Sequence, residues 1–168
     1  MLRILRHLLS ILLLPFMVVV IVPRWLLTLS GDTRWDAAEP LAWAGRGAGA
    51  LLFLTGFALF AWCVALFARV GQGTLAPWDP TRRLVAVGPY RHLRNPMISG
   101  VLAMLAGEAL LLGSRWLGLW CAAFWVINTA YFVASEEPGL ESRFGESYRR
   151  YKAAVPRWLP RARPWDGE

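Results

Sequence analysis

Two short stretches hold most of the polar and aromatic chemistry of this chain. The first, GPYRHLRNPMISG (residues 88–100), crowds Tyr90, Arg91, His92, Arg94 and Asn95 into a turn that runs straight into an apolar segment. The second begins with the adjacent carboxylates Glu136 and Glu137 and continues as EEPGLESRFGESYRRYKAAVPRWLP, residues 136–160. Asn95-Pro96 predicts a helix start, because Asn is a strong N-cap and Pro is favoured at the first helical position. Free N–H groups at such a start, with Arg91 and Arg94 beside them, suit a carboxylate or phosphate. The carboxylate pair suits a cation. A plainer alternative stands next to each: Asn-Pro only starts a helix, the arginines only flank an apolar span, and Glu136, Glu137 and Pro138 only open the next helix.

The elements that position these residues follow from composition. The chain has 168 residues, 57% of them hydrophobic and only 17% charged, with 10 Trp and a mean hydropathy of +0.42. Soluble domains carry more charge. A net charge of +7 does not point to nucleic acid here, because the basic residues punctuate apolar runs instead of lining a water-facing surface. Cys63 and Cys121 lie inside apolar runs, and the histidines are His7 and His92, so no metal site of His and Cys is expected.

A helical span of a bilayer takes about 20 apolar residues. Residues 47–68 and 116–135 are uncharged, and 96–113 is apolar except for Glu108. Residues 8–29 are read as a fourth span kinked at Pro15. A cleaved signal sequence is the alternative there, but no small-residue cleavage site follows Val22-Pro23. Gly113-Ser114-Arg115 must then be a tight turn between antiparallel helices. Four spans put both termini on one side, with the loop 70–95 and the tail 136–168. With Arg69 included, that side holds 14 of the 18 Lys and Arg residues, which makes it cytoplasmic. The expectation is a single all-α integral membrane domain of about four transmembrane helices. A cytoplasmic amphipathic C-terminal helix follows, with Leu140, Phe144, Tyr148, Tyr151 and Val155 on one stripe. Seventeen Arg against one Lys hint at a bacterial source, hence an inner membrane. Glu108 is expected to pair with Arg115 or a span hydroxyl, and Gly47, Ala50 and Gly56 could allow close helix packing. Asn128 and Tyr131 share a helix face, suited to interhelical hydrogen bonds.

Together the two stretches resemble the isoprenylcysteine carboxyl methyltransferase family, which is itself similar to the phospholipid methyltransferases. The family pattern has R-H-P-x-Y-x-G at the start of a span, then an E-E pair and an F-G-x-x-Y-x-x-Y tail. Here RNPMISG and EE…FGESYRRY occur in that order, and the similarity covers roughly residues 70–160. Asn95 stands where the pattern has His and Ile98 where it has Tyr. The resemblance implies an integral membrane methyltransferase that uses S-adenosylmethionine on a lipophilic or membrane-partitioned acceptor: a carboxylate, an amine or a thiol. Carried over by position, it points to Tyr90, Arg94, Asn95, Pro96, Glu136 and Glu137 as the cofactor site. Arg94 would suit the carboxylate of the cofactor and Glu136 or Glu137 its ammonium. Tyr90 or Tyr148 would stack near the adenine or sulfonium. No residue is assigned to the chemical step. The alternative is a membrane binding or assembly protein that keeps the fold without the chemistry.

Overall fold

The computed structural model describes residues 12–32, 40–71 and 84–167. The first residues of the expected N-terminal span, and loop residues 72–83 with Arg82 and Arg83, lie outside these. Among the described residues the fold is all-helical. A π-helical segment Leu12–Ile21, which contains Pro15, runs into α1 (Val22–Ser30). Gly31 ends α1 in the left-handed region, its N–H bonded to the Leu27 carbonyl at 2.9 Å. Helix α2 is Pro40–Leu66, followed by a π turn Phe67–Gly71. A 3-10 turn, Gly88–Arg91, precedes α3 (Pro96–Leu112). Then come α4 (Arg115–Tyr131), a π turn Phe132–Glu136, α5 (Glu137–Phe144) and α6 (Glu146–Ala154).

Two helices are long and apolar enough to cross a membrane: Ala42–Leu66, and the continuous Arg115–Phe144. Pro15–Ser30 and Pro96–Leu112 are apolar but shorter. At about 1.5 Å per residue, α3 is about 25 Å long, less than a hydrocarbon core of about 30 Å. Of the four expected spans, two therefore meet the length. Large apolar side chains point outward along the helices. Trp43, Leu51, Leu54, Leu119 and Ile127 are all more than half exposed. Water-soluble proteins rarely present contiguous apolar surface of this kind.

The packing divides into two compact units: residues 1–58 with 100–125, and residues 59–99 with 126–168. In the first, α2 and α3 touch backbone to backbone at three glycines. A Cβ at Gly49 would sit 2.5 Å from the Leu111 nitrogen, and one at Gly56 would sit 2.6 Å from the Gly100 carbonyl. At Gly107 it would meet the Gly49 carbonyl at 2.7 Å. Gly47, expected to join such packing, faces open space. The Trp120 indole donates to the Val18 carbonyl at 3.0 Å, tying α4 to the N-terminal segment.

The tight turn is there: α3 ends at Leu112, Gly113 takes φ 62°, and α4 starts at Arg115. The expected Glu108–Arg115 pair is not. Arg115 instead meets Asp32, through its backbone N–H at 3.2 Å and its Nε at 3.6 Å. Arg115 opens α4, so its N–H is one that the helix leaves unbonded, and a carboxylate there complements the helix dipole.

The amphipathic tail also differs from expectation. It is two short helices, not one, because Gly145 between them adopts φ 54°, ψ −129°, a conformation that side-chain-bearing residues rarely take. The apolar stripe survives the break. Tyr148, Tyr151 and Val155 form a core in the second unit, with Leu140, Phe144, Leu84 and Trp165 packed on it.

Candidate functional site

The predicted site residues all fall in the second unit, and the tail brings them together. Pro96 starts α3 and is buried, and Asn95 precedes it, half-exposed. The Asn95 carbonyl accepts from the Ser99 N–H at 3.0 Å, as an N-cap residue's does. Residues 91–94 are then strapped by the chain end. Arg94 donates its N–H to the Pro156 carbonyl at 2.9 Å, Arg161 to the His92 carbonyl at 3.0 Å, and Trp165 to the Arg91 carbonyl at 2.9 Å. Side chains reinforce the strap: Arg91 pairs with Asp166, and its Nε donates to the Trp165 carbonyl at 2.6 Å.

At the centre lies Glu137, buried at 6% exposure. Its Oε1 accepts from Arg94 Nη1 at 2.7 Å and from Arg157, Nε at 2.9 Å and Nη2 at 2.8 Å. Lys152 Nζ lies 3.4 Å from Oε2 and also reaches Glu141 at 3.7 Å. Three cations thus converge on one carboxylate, and the arrangement is geometrically strong because charged hydrogen bonds satisfy it from several sides. Arg94 keeps one donor over: its Nε is buried without a hydrogen-bond partner.

Glu136 takes no part in this cluster, although it is the neighbour of Glu137. The uncharged run of its helix ends at Ser135, and Glu136 follows it. Burial pushes its carboxyl up to about 7, the Glu137 charge adds to the rise, and Arg143 opposes it. The two carboxylates that the sequence leaves equivalent are therefore different in kind: one locked, one poised near neutrality.

Of the tyrosines, Tyr148 is buried in the tail core. Burial first, and then the Glu137 charge, lifts its phenol to about 12, with the Arg94 charge opposing the rise. Tyr90 is buried against Cys63, Val85, Leu66 and Phe67. Its phenol is raised well above the ordinary value, by burial and then by the Cys63 thiol beside it. Tyr151 donates to the Tyr90 carbonyl at 2.8 Å, which welds α6 to the turn. Lys152, Arg157 and Tyr151 are the members that sequence reasoning missed. Lys152 lies off the apolar stripe of the tail and carries no signal of its own; Arg157 flanking Trp158 in VPRWLP was the available signal.

A protein of Haemophilus influenzae, described as uncharacterised, is 42% identical over 65 residues, which is 38% of this chain and the whole of that one. No solved structure matches. The profile of the phospholipid methyltransferase family matches residues 45–147, a stretch that includes α3, α4, the 88–95 turn and both carboxylates. By that match over more than half its length, the chain belongs to the phospholipid methyltransferase family.

Proposed function

We propose that this protein transfers a methyl group from S-adenosylmethionine to a lipophilic acceptor at the cytoplasmic face of a bacterial inner membrane. Family membership supports methyltransferase activity on lipid-like molecules. The observation that carries the cofactor assignment is the unsatisfied Arg94 Nε, together with a Glu136 left outside the Glu137 cluster. A buried guanidinium donor with no partner calls for an anion, and a carboxylate outside the Glu137 cluster is left for a cation. The cofactor carries both, as an amino acid head group, and its sulfonium supplies the methyl group when bound.

In this reading Arg94 holds the carboxylate and Glu136 the ammonium, and the N–H groups at the start of α3 add to the anion site. Glu137 serves differently from its neighbour: it fixes Arg94, Lys152 and Arg157 so that the free donor is already aimed. Such fixed polar groups lower the cost of orienting a bound molecule. Four spans with both termini cytoplasmic remain the proposed topology, with the two shorter apolar helices completing the bundle.

Calorimetric titration of detergent-purified protein with S-adenosylmethionine, competed by S-adenosylhomocysteine, tests this. Micromolar competitive binding is expected, lost by tenfold or more in Arg94→Ala. A folded, monodisperse sample that binds neither compound removes the cofactor. It would favour the second reading, a non-catalytic membrane binding protein, which rests on Asn95 and Ile98 standing where the family pattern has His and Tyr.

A further inference from the structure

The family match ends at residue 147, and the chain beyond it reaches back to the stretch from which Arg94 projects. Residues 92–95 link the 3-10 turn that ends at Arg91 to α3. Backbone groups in and beside so short a link need partners from elsewhere. The chain end supplies them in two reciprocal pairs. Trp165 donates its N–H to the Arg91 carbonyl at 2.9 Å, and Arg91 Nε donates to the Trp165 carbonyl at 2.6 Å. Arg161 donates its N–H to the His92 carbonyl at 3.0 Å, and His92 Nδ1 lies 2.8 Å from the Arg161 carbonyl, which a protonated ring nitrogen bonds. The chain end is itself held at two points. Arg161 Nη1 bonds the Ala154 carbonyl at 3.0 Å, and the Trp165 ring lies 5.2 Å from that of Tyr151.

Arg91 stands beside the proposed anion site in the sequence, yet its side chain serves the chain end, where it also pairs with the exposed Asp166. Among the described residues, the hydrogen bonds of Arg161, Trp165 and Asp166 reach Arg91, His92 and Ala154 but neither Glu136 nor Glu137. Glu137 holds the far end of the Arg94 side chain; the chain end holds the backbone from which it springs. We propose that residues 161–166 are a clasp that positions Arg94, setting cofactor affinity by keeping the 91–94 stretch in the conformation that aims the free guanidinium donor. Arg91, Trp165 and Asp166 are then positioning residues. The inference rests on the reading of Arg94 as the partner of the cofactor carboxylate. With the clasp open the stretch samples other conformations, and apparent affinity falls in proportion to the fraction that stays aimed.

The test compares the wild-type full chain in detergent with the double variant Trp165→Ala/Asp166→Ala, which keeps Arg94, Glu136, Glu137, Lys152 and Arg157. Backbone amide exchange over residues 88–95, without ligand, reads the clasp itself. Calorimetric titration with S-adenosylmethionine reads its effect. The double variant should exchange faster over 88–95 and bind about tenfold more weakly, the loss expected if the aimed conformation falls to about a tenth of the population. Arg91→Ala should also weaken binding, and Asp166→Asn should add nothing to it, because Asp166 acts through that side chain. Gly107→Ala, whose Cβ would press on the Gly49 carbonyl in the first unit, controls for lost stability: it should lower the melting point and leave affinity unchanged. Wild-type affinity in the double variant, unchanged exchange over 88–95, or an equal loss of affinity in Gly107→Ala would each overturn the clasp. If the double variant does not fold, Arg91→Ala with and without Asp166→Asn decides it, and additive losses count against it. Failure of the cofactor reading looks different: the wild-type chain then binds no S-adenosylmethionine, whereas a failed clasp leaves wild-type binding intact and the variants equal to it.

Discussion

Glu136 and Glu137 are adjacent and chemically identical, yet their surroundings give them opposite tasks. Glu137 is clasped by Arg94, Arg157 and Lys152, so removing its charge leaves three cations facing one another. Breaking a buried ion pair from one side costs about 3–5 kcal/mol. For Glu137→Gln the lower end applies, because Lys152 and Arg157 are partly exposed and water screens them. Denaturant unfolding in detergent should register that loss. Glu136→Gln should barely move stability and should act on ligand affinity instead. With its carboxyl pushed up to about 7, Glu136 is mostly neutral at pH 6 and mostly ionised at pH 8. Affinity for a cationic ligand therefore rises as pH is raised across that window, and Glu136→Gln flattens the Glu136 part of the rise. The ligand's own titration is common to both proteins and cancels in the difference. Equal effects of the two substitutions on stability would mean that the carboxylates share one role.

At the scale of elements, α2 and α3 meet where side chains are missing. Gly49, Gly56 and Gly107 let the backbones touch, and a Cβ at any of them would press against main-chain atoms closer than 3 Å. Backbone cannot swing aside as a flexible side chain does, so Gly107→Ala should cost about 1–3 kcal/mol, the usual price of overpacking. Gly118→Ala on α4, where nothing lies within 4 Å, should instead stabilise by roughly 0.5–1 kcal/mol. Paired melts of the two variants in the same detergent separate close packing from a general intolerance of larger residues. Local signals in the sequence were enough for the helix start at Asn95-Pro96, the turn at Gly113-Ser114 and the apolar stripe of the tail, because each depends on a few neighbouring residues. Partners far apart in the chain were not legible. Asp32 takes Arg115, and Arg157 reaches back to Glu137, and many carboxylates and cations would satisfy the same chemistry. The break at Gly145 was hidden for a related reason: glycine permits the left-handed region but does not require it.

For the whole molecule, the unresolved tension is between charge pattern and helix length. Fourteen of 18 cationic side chains fall on one proposed side, a bias that needs four crossings to arise. Two helices have the length for it outright, and Pro15–Ser30 and Pro96–Leu112 are shorter. A short span is accommodated by local thinning of the bilayer or by flanking residues that reach to the interface, at a fraction of a kcal/mol per ångström. Trp25 and Arg24 at the N-terminal one are residues of the type that does this. If all four segments cross, Ser30 and Ser142 lie on opposite sides, and both are exposed. With Cys63 and Cys121 inside the spans, Ser30→Cys and Ser142→Cys each present one reachable thiol. In intact cells a membrane-impermeant thiol reagent should label the Ser30→Cys protein, and it should label Ser142→Cys only after the membrane is opened. Labelling of neither in intact cells would put both serines on the cytoplasmic side, which needs an even number of crossings between them and would mean that the short Pro96–Leu112 does not cross. That outcome would also part the 88–95 turn from the chain end across the membrane, whereas their hydrogen bonds hold them together within a single unit, so the strap itself argues that Pro96–Leu112 crosses.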